Sequence, residues 1–514
     1  MKKYSDLEFL ALSKGKKFLY KLASFFIAIP RAVGHFFLGI ARFFKKLGVG
    51  IAKEFAEIVS TFAKGDWKTK LSYPIMGFGS IARGQVLRGL LFLLFEVVFV
   101  VYMFVPIGSK TGAEWLRLLG SLGEVGPHME YNAVLDTHYP VYGDNSFKIL
   151  LYGVLTVFFI VAFLYTWRLN VKQNKISEDL LRSGHRLKSS GDDLRSLVDE
   201  QFYKTLLALP LLGIVVFTVM PIVFMILVAF TNYDGAHNGY SNSLFTWVGL
   251  ENFKTMFSWD VGGVNYAATF GEVLSWTLIW AFFATFTNYF LGIFVAMMIN
   301  KKGIHLKKMW RTILILTIAI PQFISLLYVS RMFAINGLVN GALQALHLTT
   351  APIDFWGTPK LARIMVIVIN IWIGIPYLML IATGILMNIP ADLYESSRID
   401  GANAWQQFTK ITLPYMLFIT GPYLLTSFTG NMNNFNVIYL LTGGKPTNIA
   451  ASGAAGSVGY TDLLITWLFK ITTGSETKYY LASVVGILVF LVVAIISLVV
   501  YNVLPSVKNE EDFQ

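Results

Sequence analysis

The chain has 514 residues, of which 55% are hydrophobic and only 14% are charged, and its formal net charge is +12. Soluble proteins carry about 25% charged residues, so this composition excludes an ordinary soluble protein and predicts a membrane protein with several spans. The sequence has no cysteine, which excludes a disulfide framework, a thiolate metal site and a cysteine nucleophile.

Residues 1–87 form a basic N-terminal extension that holds most of the excess positive charge. Its two apolar and aromatic stretches, Phe18–Ile29 and Phe36–Phe44, are too short to cross a bilayer. A basic amphipathic segment with phenylalanine on its apolar face is typical of a helix that lies in the membrane interface and is drawn to anionic lipid. The alternative is a nucleic-acid-binding arm, which the high aromatic and aliphatic content disfavours, so we expect no nucleic-acid partner.

Eight segments after this extension are long and apolar enough to cross the hydrocarbon core, for which about 20 residues are needed. They are Gly89–Ile107, Ile149–Trp167, Leu206–Phe230, Phe270–Ile299, Trp310–Phe333, Ile364–Met387, Tyr415–Leu441 and Tyr480–Leu504. The sequence therefore predicts an all-α polytopic membrane protein. We divide it into the extension at 1–87, two additional spans with a charged linker at 88–204, and a core at 205–514 that contains a polar loop at 388–414.

The loops between the predicted spans alternate in charge. Residues 168–204 and 301–311 are rich in lysine and arginine, whereas the alternate loops, such as 114–144, are poor in them and rich in acids and aromatics. By the positive-inside rule, both termini and the loop at 388–414 face the cytoplasm. Proline also lies in or near three spans, and we expect kinks at Pro221, Pro321 and Pro376.

Motifs for catalysis or nucleotide binding are absent from the sequence. It has no Gly-x-x-x-x-Gly-Lys-Ser/Thr phosphate loop, and its seven histidines show no metal-ligand spacing. Glu96 is the only acid deep in a predicted span, and a carboxyl group that is neutral or hydrogen-bonded to a neighbouring helix is a simpler interpretation than a proton relay. We therefore predict no catalytic residue, no metal and no cofactor.

The sixth and seventh predicted spans each carry polar residues on one helical face. On the sixth these are Asn370, Ile373, Gly374 and Tyr377, and on the seventh Ser427, Asn431 and Asn434. Buried amides without a partner cost several kcal/mol in a membrane, so they must meet something polar. Two interpretations stay open: the amides bond the helices to each other while Gly374 allows their close approach, or these residues line a neutral, aromatic pocket suited to a sugar.

The charged segment at 388–414 predicts a helix-turn-helix knob on the membrane surface. Asp392 and Glu395 have the spacing of a capping box, and Gly401 is suited to end that helix in the left-handed conformation. A second short helix from Asn403 to Thr412 is predicted to lead to Pro414.

This knob resembles the coupling loop of binding-protein-dependent ABC importer permeases. Glu395, Gly401 and the run Ile411–Pro414 match that family's pattern, and serines replace its two alanines. The resemblance implies contact with a separate ATPase through Tyr394, Glu395, Ser396, Ser397, Asp400 and Gly401. Glu395 would help to position the knob, unless it serves only as a cap, and Asp400 with Gly401 would hold the bend.

From Leu206 to Leu504 the chain is similar to the larger permease subunit of maltose and maltodextrin ABC importers. The similar stretches are 229–233, 248–253, 368–377, 427–441 and 459–464. The sugar-contacting positions of that family correspond here to Asn370, Ile373, Gly374, Tyr377, Ser427, Asn431 and Asn434. Gly430 stands where the family has an aromatic stacking residue, so the resemblance implies more room there and one stacking face fewer.

The resemblance implies a permease whose last six spans form the family's core and which imports maltose or maltodextrin by alternating access. It also implies three partners: a second homologous permease, a cytoplasmic ATPase dimer that binds ATP and magnesium, and an extracellular sugar-binding protein. The short outer loop Asn232–Thr269 is similar to that of homologues with a lipid-anchored binding protein in a bacterial plasma membrane. The alternatives are a permease for a galacto-oligosaccharide or raffinose-type sugar, an ion-coupled sugar carrier, and a membrane scaffold.

Overall fold

The computed structural model describes residues 45–503, apart from 107–108, 133, 135, 241, 259–264, 302, 452–457 and 475–476, and six isolated residues before 45. The stretch Phe18–Ile29 and most of Phe36–Phe44 therefore lie outside the described residues. The chain divides into two compact units, which we call the N-terminal unit (Phe37–Asn252) and the C-terminal unit (Phe253–Gln514, with Met1–Phe36).

The N-terminal unit is built from helices and one hairpin. Its helices are α1 (45–64), α2 (Trp67–Leu71), α3 (Phe78–Ile81), α4 (Val86–Phe104), α5 (Gly112–Leu118), α6 (Ser146–Arg182), α7 (Ser190–Val198) and α8 (Phe202–Val228). Between α5 and α6, strand β1 (His128–Asn132) pairs antiparallel with β2 (Thr137–Val141), and this hairpin is the one sheet in the described part of the chain. A π-helical turn at Val215–Val219 interrupts α8 just before Pro221, which is how the helix accommodates that proline.

The C-terminal unit is built from helices, and its described residues add only one isolated β-bridge, between Thr447 and Gly459. After the short α9 (Glu251–Met256), which crosses the unit boundary, its helices are α10 (Tyr266–Asn300), α11 (Lys307–Ala319), α12 (Gln322–Met332), α13 (Leu338–Ala345), α14 (Pro359–Leu386), α15 (Ala391–Ile399), α16 (Ala404–Met432), α17 (Phe435–Leu441), α18 (Leu464–Thr473) and α19 (Tyr479–Val503). A π-helical turn at Phe408–Thr412 lies inside α16, and a single 3-10 turn forms at Ile449–Ala451.

Seven described helices, α4, α6, α8, α10, α14, α16 and α19, are long and apolar enough to cross a bilayer. The polytopic α-helical fold is confirmed. The span predicted at Trp310–Phe333 corresponds to α11 and α12, which meet at an angle of 91° at the predicted kink, so the count of eight spans depends on taking this bent pair as one crossing. The break falls at Ile320 and Pro321, since proline has no N–H to donate and keeps the preceding residue extended.

The seventh predicted span, Tyr415–Leu441, is wrong at both ends. The structure begins α16 at Ala404 and carries it through Pro414, where a separate short helix was predicted to end. The wide π-helical turn before Pro414 makes room for a ring that would otherwise strike the preceding turn. The helix then stops at Met432, because Asn434 caps a new helix: its side-chain oxygen accepts the N–H of Val437 at 3.2 Å.

α10 and α14 run side by side in the same direction. Near their first residues, the guanidinium of Arg363 on α14 lies 4.7 Å from the ring centre of Trp276 on α10. Near their last residues, Asn300 of α10 donates a hydrogen bond to Thr383 of α14 at 3.3 Å. Residue numbers therefore rise together along both helices, and the two are parallel.

α16 packs on α10 in the opposite direction. The hydroxyl oxygens of Tyr289 on α10 and Thr420 on α16 lie 2.7 Å apart. Nearer the start of α10, Thr285 accepts a hydrogen bond from Asn431, close to the end of α16, at 3.0 Å. α10 thus contacts both helices that carry the predicted sugar-contacting residues, and it is the most buried of the candidate spans.

A buried polar cluster joins α2 and α3 to the end of α6. The side chain of Arg83 is 1% exposed and donates to Asp66 and Thr69, both at 2.6 Å, and to Asn174 at 2.7 Å. Glu178 of α6 accepts the hydroxyl of Thr69 at 2.8 Å. Burial would raise the pKa of Asp66, but the N–H and O–H of Thr69 and the charge of Arg83 hold that pKa below its ordinary value. The cluster therefore fixes the described end of the basic extension on α6.

Glu96, the acid deep in the first predicted span, accepts a hydrogen bond from a neighbouring segment. The N–H of Met76, in the turn between α2 and α3, donates to Glu96 Oε2 at 2.7 Å. The simpler interpretation of the sequence expected such a bond, although the partner is a turn and not a helix. Glu96 therefore ties α4 to the segment that carries the polar cluster.

We expect Arg83→Gln to destabilise the protein by about 3 kcal/mol, because it removes a buried cation from partners that were placed to meet it. The measurement is the melting temperature of the purified protein in detergent. The matched control is Arg182→Gln, since Arg182 pairs with the same Glu178 but is 62% exposed, and we expect a loss of no more than about 1 kcal/mol. Equal losses in the two variants would contradict this account of the cluster.

Candidate functional site

The predicted contact residues of α14 do not share one environment. Asn370 is 6% exposed, and its Nδ2 has no hydrogen-bond partner among the described residues. Ile373 packs against the apolar core around Trp280 and Val437. Tyr377, one turn further on, is 53% exposed. The face predicted from spacing is therefore buried at Asn370 and open at Tyr377.

Gly374 lies where α14 and α10 approach most closely. A Cβ atom at Gly374 would lie 2.7 Å from Cγ of Asn288 on α10. Conversely, a Cβ atom at Gly292 of α10 would lie 2.6 Å from Cβ of Leu378 on α14. Asn288 is itself held in place, because its Nδ2 donates to the carbonyl of Ala284 at 2.8 Å. These contacts support the interpretation of Gly374 as a packing residue between two helices.

Asn431 and Asn434 meet at the junction of α16 and α17. Asn431 donates to Thr285 of α10, and Asn434 donates to Asn431 Oδ1 at 3.3 Å. The single helical face predicted for Ser427, Asn431 and Asn434 is wrong, because the helix ends at Met432 and Asn434 caps the next one. Asn431 and Asn434 still lie next to each other, because their side chains are hydrogen-bonded. Asn431 links α16 to α10, and Asn434 links α17 to α16.

Ser427 and Gly430 lie on the more open side of α16. Ser427 is half-buried beside Tyr423, which also lies close to Tyr377 of α14. Gly430 is exposed, and a Cβ atom built there would meet no atom within 4 Å. Hydroxyls and aromatic rings thus line this side of α14 and α16, and the space at Gly430 is sufficient for a larger side chain.

The residues of α10 that contact the candidate site were not identified from the sequence. Thr285 accepts the hydrogen bond from Asn431 of α16, Asn288 packs against Gly374 of α14, and Asn288 Oδ1 is a second buried amide atom without a partner among the described residues. The signal was present, because Ala281, Ala284, Thr285, Asn288 and Gly292 place small and polar residues along one side of a largely apolar helix. Buried polar atoms normally have partners, so the unpaired atoms of Asn288 and Asn370 mark a place where a polar ligand finds unused hydrogen bonds.

The predicted knob is formed by α15 and the first turn of α16. Gly401 joins them with φ at +74°, in the left-handed region, as its residue type predicted. The helices also bond to each other: the hydroxyl oxygens of Tyr394 and Thr412 lie 2.8 Å apart, and Gln407 donates to Ser397 at 2.8 Å. The knob therefore has a defined shape before any partner binds.

The capping box predicted at Asp392 and Glu395 is wrong. α15 begins directly after Pro390, so Asp392 already lies inside the helix, and no side chain caps its start. A capping box forms instead in the second helix, between Asn403 and Gln406. This leaves the Glu395 carboxylate exposed, with no hydrogen bond or ion pair among the described residues.

The tip of the knob is apolar and open. Ile399 is 87% exposed and Trp405 is 69% exposed. Asp400 ends α15, and its N–H donates to the carbonyl of Ser396 at 3.0 Å. Large apolar side chains rimmed by polar ones are typical of a protein-binding surface.

We expect Gly374→Ala to destabilise the protein by about 1–3 kcal/mol, because the new methyl group must displace the hydrogen-bonded side chain of Asn288. The control is Gly430→Ala, on the neighbouring helix and in open space, for which we expect at most about 0.5 kcal/mol. Melting temperatures in the same detergent compare the two. A stable Gly374→Ala protein would show that the close approach of α10 and α14 is not as described.

The chain has several curated relatives. Residues 288–509 match the family described as binding-protein-dependent transport system inner membrane component. Over 452 residues, the maltodextrin transport system permease protein MalC of Streptococcus pneumoniae is 32% identical, which covers 86% of this chain and 97% of MalC. MdxF of Bacillus subtilis, also a maltodextrin transport system permease protein, is 33% identical over 461 residues, 88% of this chain and 98% of MdxF.

A relative whose name refers to a different sugar has a comparable sequence identity. The galactooligosaccharides transport system permease protein GanP of Bacillus subtilis is 32% identical over 438 residues, 85% of this chain and 97% of GanP. Similarity at this level over almost the whole of each relative confirms the resemblance to the permease family. The chain is a multi-pass membrane protein that belongs to the family of binding-protein-dependent transport system inner membrane components.

Proposed function

We propose that this chain is the permease subunit of an ATP-driven ABC importer that takes up maltose or maltodextrin by alternating access. The observation that carries the proposal is the match to MalC and MdxF over almost the whole length of both. ATP and magnesium are then bound by a separate ATPase dimer, because the sequence has no phosphate-binding loop. The other partners are a second homologous permease and an extracellular sugar-binding protein, lipid-anchored in a bacterial plasma membrane.

The sugar site of the proposal lies on the open side of α14 and α16. Tyr377, Tyr423 and Ser427 offer the rings and hydroxyls that a pyranose stacks on and bonds to. Asn370 has an unused amide donor one turn from Gly374, and a sugar hydroxyl can accept it once the helices move apart. Asn431 and Asn434 already bond to protein groups, so they take part only if those bonds exchange for bonds to sugar.

The knob is the proposed contact with the ATPase. Its exposed Ile399 and Trp405 provide an apolar surface, and the unpaired carboxylate of Glu395 is available to a partner. The bonds between Tyr394 and Thr412 and between Ser397 and Gln407 make the knob rigid enough to transmit a push into α16. Because α16 continues from the knob without a break, movement of the knob reaches Ser427 directly.

The parallel course of α10 and α14 supports eight crossings and a cytoplasmic knob. Two parallel spans start on the same side of the membrane, so the chain between them has to return across it. The bent pair of α11 and α12 is the apolar segment available for that crossing. With the lysine-rich 301–311 on the cytoplasmic side, α14 also ends there, and so the knob follows in the cytoplasm.

A galacto-oligosaccharide is the second candidate substrate. GanP is as similar to the chain as the maltodextrin relatives are. The open space at Gly430 also fits a sugar with a different branch or linkage, because no side chain narrows the surface there.

We expect Gly401→Val to uncouple ATP hydrolysis from uptake, because a β-branched residue cannot adopt φ of +74° without strain. The strain arises from the backbone alone, since the space around Gly401 is open. Gly401→Asn is the control, because asparagine tolerates this conformation, and it should retain coupling. The measurement is sugar uptake per ATP hydrolysed in reconstituted vesicles, and normal coupling in the valine variant would refute the proposed role of the bend.

We expect Asn370→Leu to reduce sugar-stimulated turnover at least tenfold while leaving the melting temperature unchanged, since its Nδ2 makes no hydrogen bond that the variant would lose. Asn431→Leu should instead lower stability, by about 0.6 kcal/mol, because it breaks the bond to Thr285. Uptake per assembled complex is measured with maltose, maltodextrins and galacto-oligosaccharides, and this comparison distinguishes the two candidate substrates. Full activity of Asn370→Leu on every sugar would refute the proposed site.

A further inference from the structure

A groove of about 710 Å³ lies between α1 and the middle of α6 in the N-terminal unit. Its apolar wall contains Leu47, Ile51 and Phe55 of α1 and Leu164 and Tyr165 of α6, and all five side chains are exposed. On a membrane protein, such a wall needs an apolar occupant, because leaving it to water is unfavourable.

The groove lies at the depth where the hydrocarbon core ends. The apolar run of α6 extends to Trp167 and is followed directly by Arg168, although the helix itself continues to Arg182. Trp167 and Tyr165 are residues that membrane proteins place at the headgroup level, and Trp167 donates its indole N–H to the carbonyl of Tyr73 at 2.9 Å. An occupant of this groove therefore has one end in hydrocarbon and the other in water.

The acids near the groove are already paired with α6. Glu54 and Glu57 both form ion pairs with Arg168, the second at 2.8 Å. Lys175 also pairs with Glu57, at 3.0 Å. The ion pairs hold α1 against α6 and leave no acid free to neutralise further lysines at this end of the groove.

Three lysines at the groove have no such partner. Lys46 and Lys172 line it, and Lys53 lines an adjoining cavity of about 370 Å³ that shares Lys46 and Gly50 with the groove. None of the three lysines lies within ion-pair distance of an acid in the described part of the chain, although the charge of Lys172 acts on Glu57 at longer range. The polar end of the occupant therefore meets three positive charges that form no ion pair.

We propose that this groove binds an anionic phospholipid of the cytoplasmic leaflet. The acyl chains lie along Leu47, Ile51 and Phe55, and the phosphate lies among Lys46, Lys53 and Lys172. The choice of a lipid follows from charge complementarity and depth together, because the groove offers an apolar wall in the bilayer and free cations at its surface. The assignment uses the proposed cytoplasmic location of α1 but is independent of which sugar is transported.

Native mass spectrometry of the purified full-length protein, equilibrated with equal amounts of phosphatidylglycerol and phosphatidylcholine, tests the proposal. We expect the protein to retain phosphatidylglycerol in preference to phosphatidylcholine. This preference should fall about fivefold for each lysine removed by Lys46→Gln, Lys53→Gln and Lys172→Gln, which are combined in a triple variant. The control carries Lys204→Gln, Lys301→Gln and Lys308→Gln, which remove three exposed lysines outside the groove and should leave the preference unchanged. Equal retention of both lipids by the unmodified protein, or an equal effect of the control, would overturn the proposal.

A second measurement does not depend on the stability of the triple variant. A photoreactive p-benzoylphenylalanine in place of Phe55 should crosslink to phosphatidylglycerol in vesicles that contain it. Crosslinking to a protein, or to phosphatidylcholine with equal yield, would show that the groove serves another occupant. Sugar uptake is not a readout in either experiment, so failure here leaves the proposed transport function intact, and failure of that function leaves this result intact.

Discussion

The close approach of α10 and α14 is the contact on which the C-terminal unit depends, and it is the most extensive contact between any two described helices. Helices in lipid gain no hydrophobic energy by associating, so their contact has to come from tight packing and interhelical hydrogen bonds. Gly374 and Gly292 provide the packing from opposite sides, each beside a larger side chain of the other helix. Once this pair is set, α16 has a fixed surface to pack on, and the bonds from α10 to Asn431 and Thr420 set its position.

Local rules in the sequence predicted local structure well. The left-handed turn at Gly401 followed from residue type alone, because only glycine enters that conformation cheaply. Seven of the eight predicted spans correspond to single long apolar helices, and the other corresponds to the bent pair of α11 and α12. Local rules failed at the start of the knob. Asp392 and Asn403 both begin a capping-box pattern, but α15 starts directly after Pro390, so Asp392 lies inside the helix and only the capping box at Asn403 forms. Pro321 was predicted as a kink, but the size of the bend depended on the extended conformation of Ile320.

The candidate site was predictable as a set of positions and not as an arrangement. Spacing along one helix says which residues share a face, but it does not say what lies opposite that face. Gly374 was assigned both a packing and a binding interpretation, and only the presence of Asn288 on α10 distinguishes them. Asn434 was placed on the face of Ser427 by spacing, and the end of α16 at Met432 removed it from that helix. Contacts between distant parts of the chain therefore decided both cases.

In the basic extension, too, composition predicted the general character of the segment, but contacts with distant residues could not be predicted from it. Its composition predicted a segment on the membrane surface, and α1 does expose an apolar stripe that includes Ile51 and Phe55. The acids of the extension are few, and the described ones are paired: Glu54 and Glu57 pair with Arg168 of α6, and Asp66 pairs with Arg83 in the buried cluster. Folding therefore pairs the described acids of the extension, whereas Lys46 and Lys53 form no ion pair in the described part of the chain. The positive potential of this surface is a result of the fold, greater than the composition of the segment alone would give it.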